Sequence, residues 1–179
     1  MTENFNQIYS KQIYSDLENL GMANEFMDEI LEVIHHIGLF SDFNEDEIRV
    51  MCRYMRCFAA PRGYLLLEEG GAAEHLLIVL TGTAETRYSP GKYSVENSEI
   101  ATELSTGSVI GEISMLDGKA QPASCITTSP VDFAVLTRGD LNRILMHAPR
   151  LGNKLLLALL ERLSIRLRQT DKRFLTSLA

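Results

Sequence analysis

Hydrophobic positions change their rhythm twice along the chain. From about residue 3 to 38 they recur three and four apart: Phe5, Ile8, Tyr9, Ile13, Leu17 and Leu20, then Phe26, Ile30, Val33, Ile34 and Ile37. That period predicts two helices on either side of Gly21, the second ended by Gly38. Asn44, followed by Glu45, Asp46 and Glu47, predicts a capped third helix carrying Ile48, Met51, Cys52 and Met55.

Between about 57 and 137 the rhythm shortens. The runs CFAA, YLLLEE, HLLIVL, TAETRY, IATEL, SVIG, ASCITT and VDFAVL are parted by turn residues such as Pro61-Arg62-Gly63, Gly70-Gly71, Gly82, Gly107 and Ser129-Pro130. Eight short strands at this spacing predict a sandwich, jelly roll or small barrel, with SPGKYSVENS (89–98) as an exposed hairpin loop. Helix returns after Thr137, which with Asp140 makes a capping-box-like start, and Pro149 separates a short helix from a long final one. In that last helix Leu156, Leu160, Leu163, Leu167, Thr170 and Phe174 alternate four and three apart, a heptad seam, with Leu155 and Leu159 as a second apolar line. Two lines predict a helix that packs on its own domain and on a partner helix at once; packing within the chain alone is the alternative.

Composition narrows the function. A chain of 179 residues, 45% hydrophobic, suits one domain with its own core. The net charge of −7 argues against general nucleic-acid binding, which needs clustered Lys and Arg. Arg162, Arg166, Arg168, Lys172 and Arg173 do fall close together, but read as the solvated face of a helix. The start MTENFNQIYSKQ has no leader pattern, and LLLALL (155–160) is too short to span a membrane, so a cytoplasmic protein is expected. Cys52, Cys57 and Cys125 form no CxxC pair and read as reduced core thiols. The four histidines, His35, His36, His75 and His147, show no metal-ligand spacing, no GxSxG is present, and neighbouring Glu68 and Glu69 point to opposite faces of a strand. No enzyme activity, metal or required cofactor is expected.

The stretch GEISMLDGKAQPASCIT (111–127) carries the candidate chemistry. A glycine followed by a short helical turn presents backbone N–H groups of Gly111, Glu112, Ile113 and Ser114, a seat for a phosphate. Glu112 repels an anion there, yet suits a sugar hydroxyl.

With GLF at 38–40, EEG at 68–70, LLIVLTG at 76–82, GSVIGE at 107–112, ASCIT at 123–127 and the helix–Pro149–helix ending, the chain from about Ile37 onward resembles the cyclic nucleotide-binding domain of the catabolite activator (Crp–Fnr) and protein kinase A regulatory-subunit superfamily. The resemblance implies an α+β fold: an eight-stranded antiparallel β-roll (double-stranded β-helix or jelly roll) flanked by N-terminal helices and a long C-terminal helix. It divides the chain into an N-terminal helical extension (1–36), the roll with its flanking helices (37–148) and a dimerisation or lid helix (149–179). It implies that Gly111, Glu112, Ile113 and Ser114 open a phosphate-binding cassette, that Glu112 takes the ribose 2′-hydroxyl, and that Ala123 and Ser124 open the next strand. Thr170 and Asp171 fall where the final helix supplies base contacts.

The family pattern is broken at two positions. Gln121 stands where the phosphate-binding Arg belongs, and Pro122, which has no N–H, stands for the first small residue. Losing a charge-assisted bond and an amide costs about 2–4 kcal/mol, roughly 30- to 1000-fold in affinity. The expected function is a non-catalytic regulatory module whose binding of cAMP or another cyclic nucleotide is weak or lost. It is expected to be a homodimer through the C-terminal helix, without membrane contact. Direct DNA binding is not expected, because the sequence stops at Ala179 with no helix-turn-helix after the long helix. The alternatives are a ligand-independent dimerisation or interaction module, and a regulatory subunit acting through a separate output partner.

Overall fold

The structure, a computed structural model, describes residues 13–34, 37–72, 74–88 and 99–177. The expectations for residues 3–12, for His35 and His36 and for the loop 89–98 lie outside these, as does the side chain of Phe174.

All eight expected runs are strands: β2 (Arg56–Ala60), β3 (Leu65–Leu67), β4 (His75–Val79), β5 (Thr83–Tyr88), β6 (Glu99–Ser105), β7 (Val109–Ile110), β8 (Ser124–Thr127) and β9 (Val131–Thr137). A further strand, β1 (Glu18–Met22), precedes them. They form two antiparallel sheets, ordered β1-β2-β9-β4-β7 and β3-β8-β5-β6. The helices are α1 (Met27–Ile34), α2 (Glu45–Cys52), α3 (Glu112–Asp117), α4 (Arg138–His147) and α5 (Pro149–Ser177), with 3-10 turns at Ala23–Phe26 and Gly38–Phe40. No helix among the described residues is long and apolar enough to cross a membrane.

The first sheet explains why HLLIV and VDFAVL do not alternate. It is covered on both faces, so both faces must be apolar. Leu77, Val79, Val131, Phe133 and Val135 point into the roll and meet Phe58, Ala84, Leu104 and Cys125. Their neighbours Leu76, Ile78, Ala134 and Leu136 point outward into a second core with Ile34, Ile48, Met51, Ile144, Leu155 and Leu159. In the second sheet TAETRY does not alternate cleanly: Ala84 packs into the roll, neighbouring Glu85 is buried against Arg87, and the register slips between Thr86 and Arg87.

The helix caps are the expected ones. Asn44 accepts from the Glu47 N–H while Glu47 accepts from the Asn44 N–H, a complete capping box. Thr137 accepts from the Asp140 N–H, but its hydroxyl donates to the Asp140 carboxylate in place of the reciprocal bond.

The N-terminal helix expected over Ile13, Leu17 and Leu20 is not there. Residues 13–17 are turn and bend, and Glu18–Met22 pairs antiparallel with Arg56–Ala60. The β2 edge would otherwise leave a row of backbone groups unpaired, and pairing outweighs the propensity of a short isolated helix. The turn also drops Tyr14 into the end of the roll. Its ring lies 5.1 Å from Phe133, 5.6 Å from Phe58 and 5.5 Å from His75. Its hydroxyl donates to the Leu66 carbonyl at 2.6 Å and meets His75 Nε2 at 2.9 Å, which sets the neutral ring with its proton on Nε2. Residues 13–34 are thus built into the roll and its helical core, and do not stand apart as a helical extension.

Candidate functional site

Strand β7 ends at Gly111, whose φ of +83° starts α3 from the left-handed region. A Cβ there would lie 2.5 Å from the His75 carbonyl oxygen, so β4 and the cassette touch where only glycine fits. α3 runs to Asp117 and stops at Gly118, also left-handed. A Cβ on Gly118 would stand 2.6 Å from Arg138 Nη1. Arg138, distant in sequence, thus closes over the C-terminal end of the cassette helix, where a cation is favourable.

Glu112 is 1% exposed. A buried carboxylate demands a partner, and α5 supplies two. Arg166 Nη1 donates to Glu112 Oε1 at 2.6 Å, and Arg162 Nε lies 3.5 Å from the same oxygen, an ion pair without a hydrogen bond. Arg162 Nη2 also donates to the Val109 carbonyl at 2.9 Å, just before the cassette. Arginines four apart lie on one helix face, so α5 is fastened to the head of the cassette over a full turn.

Arg162 and Arg166 were expected on a solvated helix face. Here Arg162 is half-buried and Arg166, still exposed, reaches across to the buried carboxylate of the cassette, Glu112. The clue in the sequence was their i, i+4 spacing; nothing local pointed to a carboxylate 54 residues away.

The other expected site residues divide. Gln121 is 4% exposed, and its backbone is paired with the Gly70–Gly71 turn in both directions: Gly70 N–H to Gln121 O at 2.9 Å and Gln121 N–H to Gly71 O at 3.0 Å. Ser124 is buried, and its hydroxyl accepts from the Glu69 N–H at 3.0 Å. Ser114 is buried, with its hydroxyl unpaired. Pro122 is exposed, and Ile113 and Ala123 are half-buried.

A cleft of about 740 Å³ opens between the roll and α5. Thr86, Thr102, Leu104, Val109 and Ile110 form the roll side; Ala158, Arg162, Ile165, Arg166 and Thr170 form the helix side; Gly38, Leu39, Ser41, Asp42 and Phe43 form the rim. Thr170 is therefore at the cleft, its hydroxyl donating to the Arg166 carbonyl, while Asp171 is exposed and outside the lining. The cleft does not include Gln121, Pro122, Ala123 or Ser124. Thr86 and Thr102, which sequence reading did not single out, are brought in by the inward alternation of β5 and β6.

On α5, Leu155 and Leu159 are buried against the chain's own core. Of the heptad seam, Leu160 and Leu167 are 55% and 63% exposed, while Leu156 and Leu163 are half-buried. Burial pushes the thiols of Cys52, Cys57 and Cys125 up to about 12, so all three stay protonated and unreactive at neutral pH.

Comparison with known proteins agrees with this layout. The cyclic nucleotide-binding domain model matches residues 58–148. A crystal structure of a cyclic nucleotide-binding domain from Methylobacillus flagellatus is 40% identical, with TM-score 0.80 over 95% of this chain and 94% of that one. A CRP-like cAMP-activated global transcriptional regulator of Mycobacterium tuberculosis is 25% identical over 138 residues, 76% of this chain. The chain spans 58% of that regulator's length. The regulatory subunit of a cAMP-independent protein kinase A from Trypanosoma brucei shares the fold, with TM-score 0.66 and 17% identity over 87% of this chain and 52% of that one.

Proposed function

The chain belongs to the cyclic nucleotide-binding domain family, and on that premise we propose that it is a non-catalytic regulatory module of the cytoplasm in which α5 reports the state of the cassette. The observation that carries this reading is the ion pair of buried Glu112 with Arg166 and Arg162. In a nucleotide complex the N–H groups of Gly111 to Ser114 face the phosphate, and Glu112 accepts from a ribose hydroxyl. That hydroxyl competes with Arg166 for the same carboxylate, so occupancy changes how firmly α5 is held. A homodimer through the exposed seam of α5, or a separate partner with an output activity, receives the change.

Binding of cAMP or cGMP at the family's own seat is weak in this reading, because Gln121 is uncharged and buried, its backbone N–H is taken by the Gly71 carbonyl, and Pro122 offers no N–H. The same observations favour a second reading, a ligand-independent interaction module. The fold accommodates both, since its relatives include one regulator described as cAMP-activated and one described as cAMP-independent. Calorimetry of the folded protein with cAMP, cGMP and a cyclic dinucleotide separates them. Saturable heat supports the sensor; no heat at millimolar ligand leaves the interaction module.

A further inference from the structure

Two guanidiniums share one carboxylate at the mouth of the cleft, which leaves one formal positive charge there unneutralised. A guanidinium has five N–H donors; Arg166 and Arg162 each make one protein hydrogen bond, to Glu112 and to Val109. Both side chains remain partly open to the cleft, 53% and 31% exposed. The cation missing at position 121, outside the cleft, therefore has a counterpart on the helix side of the cleft.

We propose that the cleft takes a small organic oxyanion whose charged group is held by Arg162 and Arg166 on α5, and not by the cassette. The inference rests on the ligand-binding regulatory reading and names its ligand class. Planar guanidiniums suit a carboxylate or phosphate, since both accept paired N–H bonds. Thr86 and Thr170 add hydroxyls, and Leu104, Val109, Ile110, Ala158 and Ile165 give the body of the ligand an apolar wall. The far end is different. Asp42 and Phe43 line it with Lys154, twelve residues from Arg166 and so about 18 Å along the helix. Lys154 is held there by Glu47 at 2.6 Å and lies over the Phe43 ring, which leaves Asp42 to repel a second negative charge and to accept from an amino or hydroxyl donor. The ligand is thus a monoanion at one end, apolar or aromatic in the middle, and a hydrogen-bond donor at the other. At 740 Å³ the cleft matches a molecule of nucleotide size.

Such an anion comes from a mononucleotide or from an aromatic carboxylate, and the test separates the two. The full chain is titrated by calorimetry at constant ionic strength with cAMP, 5′-AMP, adenosine and 4-aminobenzoate. The Arg162→Gln/Arg166→Gln double variant is titrated alongside, and the guanidinium Nε–H signals of the wild-type protein are followed by NMR. The expected result is saturable binding of at least one anion, about tenfold or more tighter than uncharged adenosine, movement of the Arg162 and Arg166 signals, and about tenfold or greater loss in the variant. The NMR arm decides the matter if the double variant does not fold. Equal cAMP affinity in wild type and variant, with both arginine signals still, overturns the inference and leaves the cyclic-nucleotide reading intact. Binding of 4-aminobenzoate without cAMP does the reverse. No anion moving either signal overturns the inference outright.

Discussion

Arg166, just past the middle of the last helix, donates at 2.6 Å to Glu112, the first residue of the cassette helix, across 54 residues of sequence. Substituting Glu112→Gln keeps the shape and removes the charge beneath two guanidiniums. Discounted for the partial exposure of Arg166, the loss is about 1–3 kcal/mol, with α5 released first. Thermal unfolding and hydrogen exchange of residues 160–170 measure it; unchanged protection of α5 would show that the pair holds nothing.

Gly111→Ala adds a Cβ 2.5 Å from the His75 carbonyl at a φ of +83°. Strain and collision together cost at least about 2 kcal/mol, read as a lower urea midpoint with an unchanged slope.

Burial holds His75 down at about 4, below its ordinary 6.5, so folding favours the neutral ring that bonds Tyr14. This contribution is complete above about pH 6.5 and is lost as the pH falls toward 4, about 3 kcal/mol in all. Urea unfolding at pH 7 and pH 5 should differ accordingly, and His75→Gln should flatten the difference.

Restoring the family pattern with Gln121→Arg and Pro122→Ala is expected to raise cAMP affinity about 30-fold or more, measured by calorimetry. Because position 121 is 4% exposed, the single Arg substitution should gain less than the pair, since the charged side chain must leave a buried position and Pro122 still offers no N–H.

Leu167 is 63% exposed, so Leu167→Glu leaves the monomer's own core untouched. Sedimentation should then give a smaller species than wild type. An unchanged mass would remove the heptad seam from the account.

The strands of the roll were legible because each is short, apolar and closed by turn residues such as Gly82 and Gly107. The caps at Asn44 and Thr137 were legible because they act within three residues. β1 was not. Ile13, Leu17 and Leu20 fit a helical stripe, and only the open edge of β2 decides otherwise. The cassette was found from its glycines, and position 121 from what is missing there. The partner of Glu112 was invisible, since charge alone did not distinguish Arg162 and Arg166 from Arg168 beside them. Their reach to Glu112 is a property of the assembled fold.

The N-terminal strand has one more effect. Had β2 been the last strand of its sheet, Cys57, Phe58 and Ala59 would have offered a regular apolar template to any extended chain. With β1 laid across it, the sheet's outer boundary among the described residues becomes a five-residue strand that opens with exposed Glu18 and Asn19 and whose register slips between Asn19 and Gly21. A short, charged, irregular border is a poor surface for strand addition. The segment that seats Tyr14 in the roll therefore also guards the molecule against sheet-to-sheet aggregation.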